Sequence, residues 1–372
     1  MTAPRHDLDH ASTTPLRPSS RDAMVETLTS VTGDPSRVHT EGTHARAVLE
    51  DARERVGAAF GARAREVVFT SGATESIATA CWGAAERGTH QVVPAVEHSA
   101  VRLSAAMHGP VRSVGVDGHG RVSVDEMLAA VDDQTAAVHL QWGNHEVGTT
   151  QPVDEVVAAC RDRGVLVHVD AAQAAGRIPI DFRALGADLV SISGHKLGGP
   201  PGSGVLLVRR GVRLRPLLVG GEQELARRAG LENVAAAVGL AAAVDSIDVD
   251  SEAATQVALT DRLRDQLVGL EGVTIHGDPL HRLPHLVCIG IADIEPQAVL
   301  FGLDRRGISA HSGSACASAD LEPSPVLAAM GVDAHRSLRL SVGWSSTDAD
   351  VDAVAAALPA ILTELRSLRP TH

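Results

Sequence analysis

Between residues 45 and 210, short β-branched runs alternate with helical segments, and this alternation restricts the fold more than any other feature. The candidate strands are REVVFT, HQVVPAV, RSVGV, TAAVHLQW, GVLVHVD, ADLVSIS and SGVLLVRR. Alanine-rich segments such as HARAVLEDARERVGAAFG and VDEVVAACRDRG separate them. Strands alternating with helices of this length indicate βαβ units. The sequence therefore predicts an α/β fold with a mostly parallel central sheet and helices on both faces.

The remaining C-terminal sequence predicts a second, smaller α+β domain. After about residue 230 there are two long helical segments, a strand HLVCIGI, a helix EPQAVLFGLDRRG, a Gly/Ser-rich loop, a strand SLRLSVG and a last helix. A helix rather than a flexible linker joins the two patterns. We expect a large domain over residues 16–240 and a small domain over residues 241–372, together with residues 1–15.

Charge and hydropathy patterning exclude several classes of function. The formal net charge is -13, and the basic side chains are scattered, so direct nucleic-acid binding is not expected. The N-terminal sequence has no apolar signal region, and no stretch approaches the ~20 apolar residues of a membrane span. We expect a cytoplasmic enzyme that binds no membrane.

The four cysteines divide into two groups by their surroundings. They are widely spaced without a C-x-x-C pair, which argues against a zinc cage or a disulfide framework, so no metal site is predicted. Cys81, Cys160 and Cys288 lie in apolar stretches and are expected to be small buried hydrophobes. Cys316 lies in the polar stretch ISAHSGSACASADLEPSP, which predicts an exposed loop where a thiol is suited to reaction.

Lys196 is the only lysine in a chain of 372 residues. A lysine amine can lose its proton and condense with a carbonyl, whereas a guanidinium cannot. The alternative is a surface lysine left by chance in an arginine-rich composition. However, Asp170 also follows a predicted buried strand, and the carboxyl ends of parallel strands meet at one edge of a sheet. Pyridoxal phosphate requires a lysine for its aldehyde and an acidic partner for its ring nitrogen.

A phosphate cradle and a ring-stacking residue are also predicted. The sequence REVVFTSGATESIATA places a small-residue turn, which includes Ala73 and Thr74, between a strand and a helix. Backbone amides at such a helix start bind phosphate. Ser193 and His195, which flank the lysine, supply further donors. The chain has no tyrosine, so His98, just beyond another strand, is the candidate to stack on the ring.

These motifs, in this order, resemble the cysteine desulfurases, pyridoxal-phosphate enzymes of the class V aminotransferase group with the aspartate-aminotransferase-like fold. The resemblance covers nearly the whole chain. It is carried by LDHASTTP at 8–15, GDPSRVH at 33–39, FTSGATES at 69–76, AVEH at 95–98, HEVGTTQP at 145–152, HVDAAQAAGRIPID at 168–181, SGHK at 193–196, GSACASADLEPS at 313–324 and SLRLSVG at 337–343.

The resemblance implies a role for each matching residue. Lys196 would bind the cofactor as a Schiff base, and Lys196, His98 and Cys316 would be the catalytic residues. Asp170 would contact the ring nitrogen, Gln173 would contact the 3-oxygen, and Arg339 would bind the substrate carboxylate. The phosphate would be bound by Ala73, Thr74, Ser193 and His195.

Three positions depart from the family pattern. His145 replaces the asparagine that contacts the 3-oxygen, Leu231 replaces a threonine that reaches the neighbouring subunit's phosphate, and Asp34 replaces an asparagine.

The implied activity is removal of sulfur from L-cysteine, giving L-alanine and a persulfide on Cys316 for transfer to an acceptor protein. The resemblance also implies a homodimer with active sites at the subunit boundary. Such sulfur feeds iron-sulfur cluster or thio-modification pathways, and the sequence selects none of them. Two alternatives remain, another class V enzyme (a lyase or an aminotransferase) and a catalytically weak sulfur-transfer scaffold.

Overall fold

The fold is described from a computed structural model, in which residues 5–312 and 323–368 are described. Its strands are β1 (His6–Asp7), β2 (Val67–Thr70), β3 (His90–Pro94), β4 (Val111–Val114), β5 (Thr135–Gln141), β6 (Val167–Asp170), β7 (Leu189–Ser193), β8 (Gly204–Val208), β9 (Val273–His276), β10 (Leu286–Ile291), β11 (Ile308–Ser309) and β12 (Ser337–Ser341).

Helices connect most of these strands. They are α1 (Pro18–Ser30), α2 (Thr40–Ala59), α3 (Ala73–Ala84), α4 (Ser99–Ala106), α5 (Val124–Ala129), α6 (Val153–Asp162), α7 (Phe182–Leu185), the short turn α8 (Gln223–Ala226), α9 (Val234–Asp245), α10 (Val249–Leu267), α11 (Pro296–Asp304), α12 (Pro325–Ala329) and α13 (Asp348–Ser367). Within residues 5–312 and 323–368, none of the helices combines the length and apolar character needed to cross a membrane.

A seven-stranded sheet in the order β2-β8-β7-β6-β5-β3-β4 forms the centre of the larger part of the molecule. The strands from β7 to β4 pair in parallel, and β8 is antiparallel to both of its neighbours. Because β5, β6 and β7 are parallel, their carboxyl ends lie at the same edge of the sheet. The predicted mostly parallel α/β sheet is confirmed.

Alternate residues of these strands face two different helical layers, as the period of two requires. On one face, Val68, Leu189 and Leu206 pack with Ala80 and Ala84 of α3. On the other face, residues of β5 to β8 pack with α2, α6 and α9 in the largest hydrophobic cluster. Burial of each such Val or Leu side chain contributes roughly 1.5–3 kcal/mol, so both layers stabilise the sheet. The even residues of β6, His168 and Asp170, lie on the α3 face.

The C-terminal part of the chain forms a separate three-stranded antiparallel sheet, β12-β10-β9. Its hydrophobic cluster includes side chains of α10, α11 and α13, and also Leu8 from the N-terminal segment. The short parallel pair of β1 and β11 holds that N-terminal segment in place. Asp248 caps α10 by accepting from Ser251 N at 3.1 Å, and this cap fixes the N-terminal end of the helix.

The three cysteines in apolar stretches are buried, as the sequence predicts. Cys81, Cys160 and Cys288 have no exposed surface, and burial raises the pKa of the Cys81 thiol to about 12 and that of Cys160 to about 11. Thiols with such values are protonated at neutral pH and inert. Cys316 lies outside the described residues.

Candidate active site

A cavity of about 510 Å³ opens at the carboxyl ends of β5, β6 and β7. Gln141, Asp170 and Ser193 are the last residues of these strands, and all three line it. The first turn of α3 closes one side, and Arg339 of β12 closes another. The cavity therefore lies where parallel α/β sheets bind ligands.

Lys196 and Asp170 reach this cavity from neighbouring strands. Lys196 ends a 3₁₀ turn, Gly194–Lys196, directly after β7, and Asp170 ends β6, where it pairs with Ser191 of β7. Burial is the main cause that lowers the pKa of Lys196 to about 8; Asp170 opposes this shift, and Arg339 and Arg177 add to it. Burial raises the pKa of the Asp170 carboxyl, against the hydrogen bond from Ala172 N at 2.9 Å. A cationic partner at the Asp170 carboxylate would relieve its burial cost.

The start of α3 presents backbone donors to the same cavity. The first intrahelical bond runs from Ser76 N to Gly72 O, so the amides of residues 73–75 precede it and point outward. Gly204 of β8 permits this geometry, because a Cβ there would lie 2.5 Å from the Gly72 Cα. Ser193 and His195 line the cavity, and His195 Nδ1 lies 3.1 Å from Thr13 Oγ1. This end of the cavity is an anion cradle.

Two imidazoles face each other on the opposite side. The rings of His98 and His145 lie edge to face, with centroids 4.9 Å apart at 75°. His98 Nδ1 accepts from Ala100 N at 3.1 Å and so caps α4. Burial, and then the charge of His145, lower the pKa of His98 to about 4, and burial lowers that of His145 to about 3. Both rings are neutral near pH 7, and His98 Nε2 therefore carries the proton.

Arg339 is held by three polar contacts. Its Nη1 donates to the His145 carbonyl at 2.8 Å, and its Nη2 donates to Asp9 Oδ1 at 2.9 Å and to Ser12 Oγ at 2.7 Å. Its buried Nε has no hydrogen-bond partner among the described residues. A carboxylate that enters the cavity would find this donor preorganised and free.

Three further residues beside the cavity were not singled out from the sequence: Glu146, His285 and Asp9, the last of which accepts from Arg339. Glu146 is buried, accepts from Ser324 Oγ at 2.5 Å, and has its pKa raised by burial to about 7. His285 is buried and contacts Gln173. Asp9 and Glu146 stand inside the motifs LDHASTTP and HEVGTTQP, which is a signal for them, whereas His285 carries no local signal.

The structure brings together ten of the predicted site residues around the cavity, which are Ala73, Thr74, His98, His145, Asp170, Gln173, Ser193, His195, Lys196 and Arg339. Leu231 does not line it. That side chain is 65% exposed beside a second depression near Ser71 and Asn233. Asp34 accepts a hydrogen bond from Ser36 N at 2.8 Å in an exposed turn.

The donor set fits pyridoxal phosphate. A deprotonatable lysine, a buried carboxylate and a helix start are the groups that its aldehyde, ring nitrogen and phosphate need. His145 lines the cavity, and its buried Nδ1 has no hydrogen-bond partner within residues 5–312 and 323–368, so a polar ligand atom can satisfy it. Fold and cavity together define a pyridoxal-phosphate-dependent α/β enzyme. Residues 7–354 match the family model Aminotransferase class-V, and the chain belongs to that family.

Relatives named cysteine desulfurase match nearly the whole chain. It is 40% identical over 377 residues to a cysteine desulfurase of Trichormus azollae, covering 98% of this chain and 94% of the relative. It is 39% identical over 376 residues to the cysteine desulfurase IscS of Methanosarcina thermophila, covering 98% and 93%. A solved NifS-like protein superimposes with a TM-score of 0.90 at 32% identity, covering 97% of this chain and all of that one. The pyridoxal-phosphate fold predicted from the sequence is confirmed.

Proposed function

We propose that this protein is a cysteine desulfurase. It removes the sulfur of L-cysteine, releases L-alanine and holds the sulfur as a persulfide on Cys316 for transfer to an acceptor protein. The observation that carries the proposal is the lowered pKa of Lys196 in a cavity that also presents Asp170 and a free donor of Arg339. The relatives named cysteine desulfurase support it, as does the solved structure titled SspA in complex with cysteine, with a TM-score of 0.81 at 26% identity.

The cofactor would be held by groups from five parts of the chain. The amides of Ala73 and Thr74, with Ser193 and His195, would receive the phosphate. Asp170 would accept from the ring nitrogen, His98 would stack on the ring, and Gln173 and His145 would contact the 3-oxygen. Bound pyridoxal phosphate supplies an electron sink for the bonds of the substrate α-carbon.

Lys196 is the residue that moves the α-proton. With its pKa lowered to about 8, an appreciable fraction of the amine is unprotonated near neutral pH, which a proton acceptor requires. Arginine at this position would remain protonated and could not serve. His98, which is neutral and carries its proton on Nε2, is a second group at the same cavity that can take part in proton transfer, as a donor.

Arg339 orients the substrate through its carboxylate. The Asp9 carboxylate and the Ser12 hydroxyl engage Nη2, and the His145 carbonyl engages Nη1, so the guanidinium plane is fixed before substrate arrives. Preorganisation of this kind reduces the entropy lost on binding.

The sulfur step balances without an external oxidant. The Cys316 thiolate attacks the substrate sulfur, the carbon–sulfur bond breaks, and a sulfur–sulfur bond forms. The electron pair of the broken bond stays with the carbon and takes up a proton, so thiol and cysteine become persulfide and alanine. A thiol acceptor then removes the outer sulfur.

The experiment compares alanine and sulfide release from L-cysteine, with a thiol reductant, for the wild type and Cys316→Ala. Cys160→Ala is the matched control, because that thiol is fully buried and inert. Equal amounts of alanine and sulfide, lost in Cys316→Ala but not in the control, are expected. Turnover that survives Cys316→Ala would identify a lyase, and no turnover in the wild type would favour the scaffold.

We also infer that two copies form a homodimer. Support comes from three apolar side chains between residues 219 and 231 that remain exposed, with Val219 79%, Leu231 65% and Leu225 50% exposed. Of these, Leu231 lines the second depression. Burial of such a patch by a second copy is favourable. Light scattering on a sizing column tests this inference, with a mass of about twice 38.6 kDa expected, and Leu231→Asp should lower it.

The domain boundaries and the compartment are inferences of the same kind. We infer a large domain over 16–240 and a small domain over 241–372 with 1–15. The two main hydrophobic clusters support two units, although Ala241, Val244 and Leu283 pack in the cluster of the large one. Leu240 and Ala241 are buried within α9, so limited proteolysis should cut in the exposed segment at the end of this helix, at residues 245–248, if the two units fold separately. We infer action in the cytoplasm, and cell fractionation tests it.

A further inference from the structure

His285 lies directly before β10 and is completely buried. Its backbone carbonyl accepts from Val342 N at 2.9 Å, which anchors it to the segment that follows β12. Its side chain extends away from this small sheet toward Gln173, which follows β6 of the large sheet. His285 Nε2 lies 3.1 Å from Gln173 Oε1. An imidazole from one sheet therefore contacts a cavity-lining amide of the other.

The hydrogen-bond pattern fixes the orientation of that amide. Gln173 Nε2 donates to the Ala11 carbonyl at 2.9 Å, and a carbonyl can only accept. Gln173 Oε1 therefore faces His285 and must accept from it, so His285 Nε2 carries the ring proton. Arg177, Arg339, Lys196 and His10 surround the ring with positive charge or imidazole, and His285 is buried and neutral among them.

Among the described residues, this arrangement leaves one N–H of Gln173 without a hydrogen-bond partner, and Gln173 lines the cavity. We propose that His285 is a positioning residue, which holds Oε1 of Gln173 away from the cavity so that an amide N–H faces the cofactor. The inference rests on the proposed function, because it assumes that a cofactor oxygen receives this N–H. Without the imidazole donor, Oε1 would be buried with no partner, and the amide would no longer be held in one orientation.

The test uses His285→Leu, with His285→Gln as the conservative variant that retains an N–H donor. Each apoprotein is titrated with pyridoxal phosphate, and both the dissociation constant and the absorption maximum of the bound cofactor are recorded. We expect His285→Leu to weaken binding ~10-fold, as loss of an outer partner does in comparable sites, and to shift the maximum. His285→Gln should restore the dissociation constant to within ~3-fold of the wild type and return the absorption maximum to the wild-type wavelength.

A double-mutant cycle separates positioning from packing. In a Gln173→Leu background, His285→Leu should change the dissociation constant by less than ~2-fold, because its target is gone. Equal losses in both backgrounds, or a His285→Leu protein with wild-type affinity and spectrum, would overturn the positioning role. If His285→Leu does not fold, His285→Asn, which is too short to reach Gln173, replaces it in the same cycle.

The result for the wild type separates this inference from the proposed function. A wild-type apoprotein that binds no pyridoxal phosphate would overturn the proposed function and this inference together. A wild type that binds the cofactor and releases alanine and sulfide, beside a His285→Leu protein that behaves identically, would overturn the role of His285 alone.

Discussion

This protein has two pairs of buried histidines that are neutral for the same reason. The pairs differ in how many of their ring nitrogens have hydrogen-bond partners. His139 and His168 lie inside the central sheet, and His98 and His145 lie at the cavity wall. Burial lowers the pKa of all four rings, to about 4 for His139 and His98 and to about 3 for His145. Burial alone therefore does not distinguish the structural pair from the functional one.

The interior pair forms a closed hydrogen-bond chain across four strands. His139 Nε2 lies 2.6 Å from Gln91 Oε1, His139 Nδ1 lies 2.9 Å from His168 Nδ1, and His168 Nε2 lies 2.7 Å from Ser191 Oγ. Because Gln91 Oε1 only accepts, one assignment of protons satisfies the whole chain with both rings neutral. Each ring nitrogen has a partner, so nothing remains for a ligand.

The hydrogen bonding of the cavity pair, His98 and His145, is incomplete by comparison. His98 uses Nδ1 to cap a helix, and His145 Nδ1 is buried without a partner in the part of the chain that the structure describes. Buried polar atoms are satisfied in the great majority of cases, and this unpartnered atom belongs to a residue that lines the cavity, where a ligand atom can reach it. The difference teaches that hydrogen-bond satisfaction together with position at the cavity, rather than burial or a shifted pKa, separates these two pairs.

The largest expected effect is on catalysis at the cavity pair. His98→Ala removes a proton donor and the stacking face, and activity should fall ~10³-fold, within the range for loss of a general acid–base. Alanine release from L-cysteine measures the loss. Thermal unfolding of the apoprotein should change by no more than a few degrees, and a large drop in the unfolding temperature would place His98 with the structural pair.

The interior pair should show the reverse pattern. His168→Leu leaves His139 Nδ1 and the Ser191 hydroxyl without their partner, and we expect the free energy of unfolding to fall by about 2–4 kcal/mol. Activity per folded molecule should stay within ~3-fold of the wild type, because His168 does not line the cavity. Denaturant titration measures the stability. An activity loss like that of His98→Ala, at unchanged stability, would contradict the comparison.

Functional residues at the ends of strands could be predicted from the sequence. Residues whose role depends on contacts between distant segments of the chain could not. Asp170 and Lys196 were identified because parallel strands end at one edge, and His98 because it follows another strand. The interior pair carries no such signal, since His139 and His168 stand within apolar strands and each is satisfied only by residues from other strands. His285 was missed for the same reason, because its partner Gln173 is 112 residues away in the chain.

Elements of weak local pattern were also missed. The short strand β9 is partly exposed and has no clear alternation, so only its pairing with β10 defines it. The two-residue strands β1 and β11 exist only as each other's partner. Local propensity is a weak guide where tertiary pairing decides the conformation.

Acid should unfold the protein through its buried histidines. The unfolded chain takes up a proton at His139 near pH 6.5, whereas the folded protein takes it up only near pH 4. The unfolded state therefore binds more protons between these values, and stability is full above pH 6.5 and falls as the pH drops toward 4. This single ring contributes about 3 kcal/mol to the change at most. His139→Gln should flatten the profile over that window, and an unchanged slope would show that His139 does not contribute.

The smallest expected effect is that of His145→Asn. The imidazole and the amide can both donate to the ligand atom that His145 Nδ1 lacks, so the affinity for pyridoxal phosphate should change by less than ~10-fold. The pKa of His145 is lowered to about 3, so the ring carries no charge between pH 5 and 8, and the pH profile of alanine release should keep its shape. Stability should also be unchanged, because no hydrogen bond to the Nδ1 atom is lost within residues 5–312 and 323–368. A profile that shifts in this range would mean that His145 titrates during the reaction, and a large loss of stability would place it with His139 and His168.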